Sequence, residues 1–146
     1  RTVTFRDLNL NTPLYNALED LGLTIPTPIQ EQSYNVISSG VDMIGIAQTG
    51  TGKTFAFLLP ILKNLPFSMQ ENPRVLILVP TRELVVQITD ELEKISKYIN
   101  LRILGVYGGT NINTQKQAIT LGLDILVATK TLSIFSPFRI DSLRIQ

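Results

Sequence analysis

Residues 47–54 read Ala47-Gln-Thr-Gly-Thr-Gly-Lys-Thr54, between the apolar run Met43–Ala47 and an apolar helical pattern that begins at Lys53. The apolar run predicts a strand, and the helical periodicity after it predicts a helix. A glycine-rich turn between a strand and a helix is typical of a phosphate-binding loop, because glycine lets backbone amides fold around phosphate oxygens. The stretch therefore predicts an α/β fold with a P-loop.

The loop departs from the pattern G-x-x-x-x-G-K-[ST] only at Ala47, which stands in the place of the first glycine. The amino end of the predicted helix adds a positive dipole beside the loop. Lys53 can reach the β- and γ-phosphates, and the Thr54 hydroxyl can hold Mg²⁺. A plain connecting turn with a surface lysine is the weaker alternative, since the strand and helix flank the loop as a P-loop requires. The candidate phosphate-binding residues are Gln48, Thr49, Gly50, Thr51, Gly52, Lys53 and Thr54.

Downstream of the loop, short apolar runs alternate with helical patterns. The predicted strands are Val75–Val79, Leu101–Tyr107 and Asp124–Ala128, and the predicted helices are Lys53 to about Lys63, Arg82–Tyr98 and Asn113–Thr120. Pro60 should kink or shorten the first of these helices, because proline lacks the backbone N–H. The alternation predicts a mainly parallel sheet with helices on both faces. In such sheets, ligands bind at the carboxyl ends of the strands.

Two helices are predicted upstream of the loop. Thr12 is the predicted N-cap of the first helix, and Gly22 its end. The second helix is predicted to start at Thr27-Pro28 and to run to about Ser39, with Gly40 closing it.

The composition is that of a globular domain: 146 residues, 44% hydrophobic, 17% charged, with net charge +1. The chain has no Cys and no His, which excludes a disulfide scaffold and a thiolate metal site and removes the commonest general base. It shows neither an apolar run of membrane-spanning length nor the apolar core of a signal peptide at its start. We expect one domain over residues 1–146, without membrane contact, in the cytoplasm or, in a eukaryote, also in the nucleus.

Four segments, in order along the chain, resemble motifs of the DEAD-box RNA helicases. Phe5 with Gly22-Leu-Thr-Ile-Pro-Thr-Pro-Ile-Gln30 looks like the Q motif region, and Ala47–Thr54 looks like motif I. Pro80-Thr-Arg-Glu-Leu84 resembles motif Ia, and Gly108-Gly109 resembles the GG motif. The resemblance covers residues 5–129. It implies a RecA-like domain of the P-loop NTPase class, ATP and Mg²⁺ as ligands, RNA as a partner, and a second RecA-like domain in the parent chain.

The resemblance implies that Gln30 and Phe5 contact the adenine base of ATP. A glutamine amide offers both a donor and an acceptor, and an aromatic ring can stack on the base. Each residue also has a structural alternative. Thr27-x-x-Gln30 is a capping-box pattern, and Phe5 could be a tail residue folded onto the core.

The same resemblance implies that Pro80, Thr81, Arg82, Gly108, Gly109 and Thr129 contact RNA. Thr81 and Arg82 would touch phosphates beside a helix amino end, and the glycines would let RNA approach the backbone. Phosphate contacts carry no sequence information, so sequence-independent binding is expected. The alternatives are a strand end with a helix start at Pro80–Leu84, and a simple turn at Gly108-Gly109.

The chain departs from the family after Ala128. Thr129-Lys-Thr-Leu132 stands where the family has Thr-Pro-Gly-Arg, so only Thr129 matches the family motif. The stretch of chain after this point is short for the family, and residues omitted near Lys130 would explain its length. The chain has no Asp-Glu-Ala-Asp, and Asp124 precedes its strand, at the wrong end for Mg²⁺.

We therefore expect an incomplete ATP-binding domain of an ATP-dependent RNA helicase, able to bind nucleotide but not to hydrolyse it alone. The alternative is a non-catalytic nucleotide- or RNA-binding docking module. A small-molecule kinase would share the P-loop, but it would not explain Gln30, Arg82 or Gly108-Gly109.

Overall fold

The computed structural model describes residues 1–45, 52–65, 73–108 and 122–129. The chain divides into two compact units, which are Arg1–Pro66 with Lys94–Ile99, and Phe67–Glu93 with Asn100–Gln146. Within the described ranges, no helix has the length and apolarity needed to cross a membrane. The predicted helix Asn113–Thr120 lies outside the described residues, as do Gln48–Thr51 and Gly109.

The described residues of unit 1 form a 3₁₀ turn at Phe5–Leu8 and three helices: α1 (Thr12–Asp20), α2 (Pro28–Ser38) and α3 (Lys53–Lys63). The N-cap of α1 is Asn11, whose side chain accepts a hydrogen bond from the Leu14 amide at 3.3 Å. The prediction that Thr12 caps this helix is therefore wrong. Asn11 has the extended backbone that an N-cap requires, whereas Thr12 already belongs to the first helical turn.

Glycines end α1 and α2 as predicted. The Gly22 amide donates to Glu19 O at 3.0 Å, and the Leu23 amide donates to Leu18 O at 2.9 Å. This is the Schellman pattern, which needs a left-handed residue, and Gly22 supplies it with a φ of 72°. Gly40, with a φ of 80°, follows α2 in the same way.

Pro60 neither ends nor shortens α3, which continues to Lys63. The predicted bounds of this helix, Lys53 to about Lys63, are therefore confirmed, and of the two effects predicted for Pro60, a kink or a shortening, the shortening is not observed. Proline has no N–H, so the Ala56 carbonyl four residues earlier lacks its usual helical donor. The Ser33 hydroxyl of α2 lies 3.3 Å from that carbonyl oxygen and supplies a hydrogen bond instead.

Unit 2 contains a parallel sheet of three described strands, β1 (Val75–Val79), β2 (Ile103–Val106) and β3 (Ile125–Thr129), in the order β1-β3-β2. Helix α4 (Arg82–Ile95) lies between β1 and β2 in the chain. Every residue of β3 is buried, as expected for a central strand covered on both faces. The architecture is α/β with an all-parallel sheet and helices, as the sequence predicts.

The predicted strand Met43–Ala47 is not observed in its described part. Residues 43–45 have no regular secondary structure, and Ile44 is 84% exposed. An apolar run forms a strand only where a neighbouring strand pairs with it, and no described strand pairs with these residues. The remaining residues of this prediction, 46 and 47, lie outside the described ranges.

Close packing of α4 on β2 depends on Gly105. A Cβ atom at this position would come within 2.7 Å of Thr89 Oγ1 and 2.9 Å of Val85 Cγ1. Because a side chain at this point would push the helix away, Gly105 sets how near α4 approaches the sheet. Val85, Ile88 and Leu92 on the predicted apolar face of α4 are buried.

Candidate functional site

The described part of the P-loop lies at the amino end of α3. Gly52 is the N-cap and has a left-handed backbone with a φ of 80°. Lys53 follows in the first turn with an exposed side chain, and Thr54 is half-buried. The first amides of a helix have no partners within it, so this turn presents N–H groups together with a lysine and a hydroxyl. These groups suit a phosphate with its bound cation.

Gln30 joins α2 to this turn. Its side chain is 5% exposed. Oε1 accepts a hydrogen bond from the Thr27 amide at 3.0 Å, and Nε2 donates to Gly52 O at 3.1 Å. The capping interpretation of Gln30 is therefore confirmed, and the same side chain also contacts the predicted phosphate-binding turn. A glutamine amide has two acceptor positions and two donor hydrogens, so these two bonds occupy one of each.

Gly52 leaves no room for a side chain. A Cβ atom there would lie 2.4 Å from Gln30 Nε2 and 3.1 Å from Thr27 Oγ1. Gln30 is held at this point by the capping box that it forms with Thr27. Both the positive φ and the close approach of Gln30 thus require glycine at position 52.

Phe5 is 3% exposed, and its amide donates to Thr24 O at 3.0 Å. Its ring is buried in the core of unit 1, as the alternative of a tail residue folded onto the core proposes. Stacking on adenine would require this ring to be uncovered, and it remains a prediction.

In unit 2, the residues predicted to contact RNA follow the carboxyl ends of the three strands. Thr129, which ends β3, pairs with Val79 at the end of β1, and Val106 at the end of β2 pairs with Ala128. Because the strands are parallel, these ends share one edge of the sheet. Four of the predicted residues lie just beyond the ends of β1 and β2 and are exposed: Pro80, Thr81, Arg82 and Gly108. Thr129 itself is 7% exposed.

Thr81 caps α4. Its Oγ1 accepts a hydrogen bond from the Leu84 amide at 3.2 Å, and its carbonyl accepts one from the Val85 amide at 3.2 Å. The interpretation of Pro80–Leu84 as a strand end and helix start is therefore confirmed. The bond from Leu84 uses the hydroxyl oxygen as an acceptor, so the hydroxyl hydrogen remains able to donate to an anion.

A charged cluster at the amino ends of the strands was not predicted from the sequence. Asp124 Oδ1 accepts from Arg74 Nη2 at 3.0 Å and from Arg102 Nη2 at 3.2 Å. Its Oδ2 accepts from the Arg102 amide at 3.0 Å and from Arg102 Nε at 3.2 Å. Arg74, Arg102 and Asp124 immediately precede β1, β2 and β3, respectively. Polar residues before strands are the only sequence signal, and they do not indicate the pairing.

Burial raises the pKa of the Asp124 carboxyl, but hydrogen bonds from the side chain and backbone of Arg102 and from Arg74 outweigh burial and lower the pKa below 3.8. The carboxylate is thus occupied by two arginines at the amino edge of the sheet. This agrees with the expectation that Asp124 cannot serve as the Mg²⁺ carboxylate. Among the residues the structure describes, no cluster of three or more His, Cys, Asp or Glu side chains could hold a metal ion.

Comparison with known proteins places these features in a family. The family model described as DEAD/DEAH box helicase matches residues 27–139. The chain is 44% identical over 130 residues to the probable ATP-dependent RNA helicase DDX46 of Danio rerio, covering 86% of this chain and 13% of that protein. It is 42% identical over 127 residues to the ATP-dependent RNA helicase DeaD of Escherichia coli K12, covering 86% of this chain and 20% of that protein. The chain thus spans a fifth or less of the length of these relatives.

Proposed function

The chain belongs to the DEAD/DEAH box helicase family, and we propose that it forms the ATP-binding part and part of the RNA-binding surface of an ATP-dependent RNA helicase. The parent protein would use ATP hydrolysis to unwind or remodel RNA. Unit 1 would bind the nucleotide, and the carboxyl edge of the sheet in unit 2 would contact RNA.

The observation that carries the nucleotide proposal is the hydrogen bond from Gln30 Nε2 to Gly52 O at 3.1 Å. It joins the side chain expected to read the base to the turn expected to hold the phosphates. After its bonds to Thr27 and Gly52, the Gln30 amide retains one acceptor position and one donor hydrogen. Adenine presents the complementary pair at N6 and N7. The count of hydrogen-bonding positions therefore allows adenine recognition without loss of the helix cap, for which the Gln30 side chain, 5% exposed, would have to be uncovered.

The phosphate end of the proposed site consists of groups on α3. Lys53 would neutralise phosphate charge, and the Thr54 hydroxyl would be a ligand of Mg²⁺. When bound there, the cation would supply positive charge that offsets the negative charge of the phosphates. The residues from Gln48 to Gly52 would contribute backbone amides.

The RNA proposal depends on the shared edge of the parallel strands. Thr81 and Arg82 at the amino end of α4 would bind one stretch of phosphates. Gly108 and Gly109 would allow the RNA backbone to approach the protein closely, and Pro80 and Thr129 would also contact the RNA. All of these contacts would be to the sugar-phosphate backbone of the RNA, so the surface would not distinguish RNA sequences.

Calorimetric titration with ADP tests the phosphate assignment. A charged hydrogen bond is typically worth about 1.5–3 kcal/mol, so Lys53→Ala should weaken ADP binding about ten-fold or more. Lys63→Ala is the matched control, because Lys63 lies in the last turn of the same helix and should leave affinity unchanged. Equal affinity of the unmutated chain and Lys53→Ala would contradict the assignment.

The ratio of ADP to GDP affinity tests the base assignment separately. Gln30→Glu keeps an acceptor for the Thr27 amide, since Glu and Gln both serve at this capping position, but it lacks the amide donor. We expect the adenine preference of the unmutated chain to fall in this variant. The ratio is insensitive to a general loss of folded protein. Equal affinity for ADP and GDP in the unmutated chain would refute adenine recognition while leaving the phosphate site intact.

A further inference from the structure

Two side chains of α2 bond two carbonyls of α3. Gln30 and Ser33 are three residues apart on α2 and therefore lie on one face of that helix. Gln30 Nε2 donates to Gly52 O at 3.1 Å, and Ser33 Oγ lies 3.3 Å from Ala56 O. Gln30 is 5% exposed and Ser33 is 1% exposed, so both bonds are shielded from water. The two carbonyls are four residues apart and flank the first turn of α3.

The two carbonyls differ in their other partners. Gly52 O accepts the helical hydrogen bond from the Ala56 amide at 3.2 Å. Ala56 O would accept from residue 60, but that residue is Pro60, which has no N–H. The proline ring also crowds the carbonyl four residues earlier and tilts it away from the helix axis. Ala56 O thus lacks the donor that the residue four positions later supplies to a carbonyl in a regular helix.

Ser33 has a single hydroxyl hydrogen, and it has two acceptors within reach. Ile29 O lies at 2.6 Å, and Ala56 O lies at 3.3 Å. Ile29 O already has its helical donor, the Ser33 amide of the same helix. Of the two oxygens, Ala56 O is therefore the one whose usual helical donor is missing, and the Ser33 hydroxyl at 3.3 Å is within hydrogen-bond distance of it.

We propose that Ser33 is a positioning residue of the nucleotide site, which acts by bonding the Ala56 carbonyl that Pro60 leaves without a helical donor. Lys53 and Thr54 lie in the turn between the two carbonyls that α2 holds. Ser33 fixes the carboxyl end of this turn, and Gln30 fixes its amino end. This assignment rests on the proposed nucleotide site for its function, but the Ser33–Pro60 relation is a property of the fold.

A double-mutant cycle on the 146-residue chain tests the proposal, with Ser33→Ala, Pro60→Ala and the double variant. Alanine at position 60 restores an N–H for Ala56 O. Ser33→Ala should therefore be harmful with Pro60 present and nearly silent with Pro60→Ala. Two readouts are measured for each variant: hydrogen exchange of the Ala56 amide and the dissociation constant of ADP well below the unfolding temperature.

With Pro60 present, Ser33→Ala should speed exchange at Ala56 and weaken ADP binding, each about five-fold, the factor that a typical net hydrogen bond corresponds to. If Ser33 had only a structural role, Ser33→Ala would lower the unfolding temperature without changing the ADP dissociation constant of a fully folded sample. Ser39→Ala is the matched control, because its hydroxyl also bonds a carbonyl of α2, Val36 O at 2.7 Å, but is exposed. It should change neither readout.

Equal effects of Ser33→Ala in both backgrounds, or no effect in either, would overturn the proposal. If Ser33→Ala does not fold, the double variant decides the question. A double variant that folds supports the proposal, and a double variant that does not fold overturns the proposal. If the unmutated chain binds no ADP, the proposed function fails, and the exchange cycle alone decides whether Ser33 positions the turn.

Discussion

At the scale of single residues, three buried polar side chains each join elements that are distant in the chain. Gln30 connects α2 with the start of α3, and Ser33 connects α2 with the carbonyl opposite Pro60. Asp124 connects the segments before all three strands through Arg74 and Arg102. In each case the buried polar atoms have partners, so burial does not leave them unsatisfied.

Removal of the Asp124 charge should destabilise unit 2 in a pH-dependent way. The side chain is 3% exposed in its pairs with Arg74 and Arg102, and loss of one partner of a buried ion pair typically costs about 3 kcal/mol. Because the folded-state pKa of Asp124 is lowered below 3.8, its contribution is complete above the unfolded pKa and is lost as pH falls through the folded pKa. Urea unfolding of Asp124→Asn and the unmutated chain should therefore differ at neutral pH and converge in acid.

Asp20→Asn is the control for this measurement. Asp20 is exposed and pairs with Lys97 at 3.1 Å, and solvent screens such a pair. The change in its free energy of unfolding should be much smaller than that of Asp124→Asn. A difference between Asp124→Asn and the unmutated chain that stays constant down to strongly acid pH would contradict the assigned role of the carboxylate.

At the scale of elements, α4 combines a packing role with an exposed amino end. Its buried face lies against β2, where Gly105 permits the close approach to Val85 and Thr89. Its first turn begins directly after β1, with Thr81 as the cap and Arg82 exposed. The rigid packing of the helix thus holds the cap and the arginine at the edge of the sheet where the strands end.

RNA binding should be weak, sensitive to salt and indifferent to sequence, with Arg82 as its main charged contact. The net charge of +1 implies that few phosphates are neutralised. Arg82→Ala should weaken binding to all RNAs equally and reduce the slope of log affinity against log salt by about 0.7, the value for one phosphate on a single strand. Fluorescence anisotropy with RNAs of equal length at several salt concentrations measures both effects.

Lys94→Ala serves as the matched control, since Lys94 lies in the last turn of the same helix, away from the strand ends. It should leave the salt slope unchanged. Strong discrimination between unrelated RNAs of equal length would show that base contacts, rather than backbone contacts, dominate this surface.

At the scale of the whole molecule, we predict that the 146-residue chain alone does not turn over ATP, with or without RNA. Hydrolysis needs a carboxylate that holds Mg²⁺, a positioned water and an arginine finger, which is worth roughly a thousand-fold or more. In the described part of the chain, Pro80 and Tyr107 follow β1 and β2 and Thr129 ends β3, so none of these positions is acidic. A phosphate-release assay should show no RNA-stimulated turnover.

The comparison for this assay is a longer chain that carries an acidic motif and a second RecA-like domain. That chain should release phosphate when RNA is added. Substantial RNA-stimulated release by the 146-residue chain alone would mean that one of its own carboxylates serves the reaction.

Local features of this protein were determined by the sequence itself. Gly22 and Gly40 end helices because a left-handed backbone is accessible to glycine, and this depends only on the residue and its neighbours. The run Val75–Val79 forms the predicted strand, and Arg82 begins the predicted helix, because each pattern is contained within a few residues. The Thr27–Gln30 cap is equally local, and it too is confirmed.

Relations between distant residues were decided only by the tertiary structure. Gln30 meets Gly52 across 22 positions, and Arg74 meets Asp124 across 50. No periodicity or spacing encodes such pairs, because they depend on how separate elements pack. The same reason applies to Pro60: the missing N–H can be predicted from the sequence, but the position of Ser33, 3.3 Å from the Ala56 carbonyl, follows only from the packing of α2 on α3.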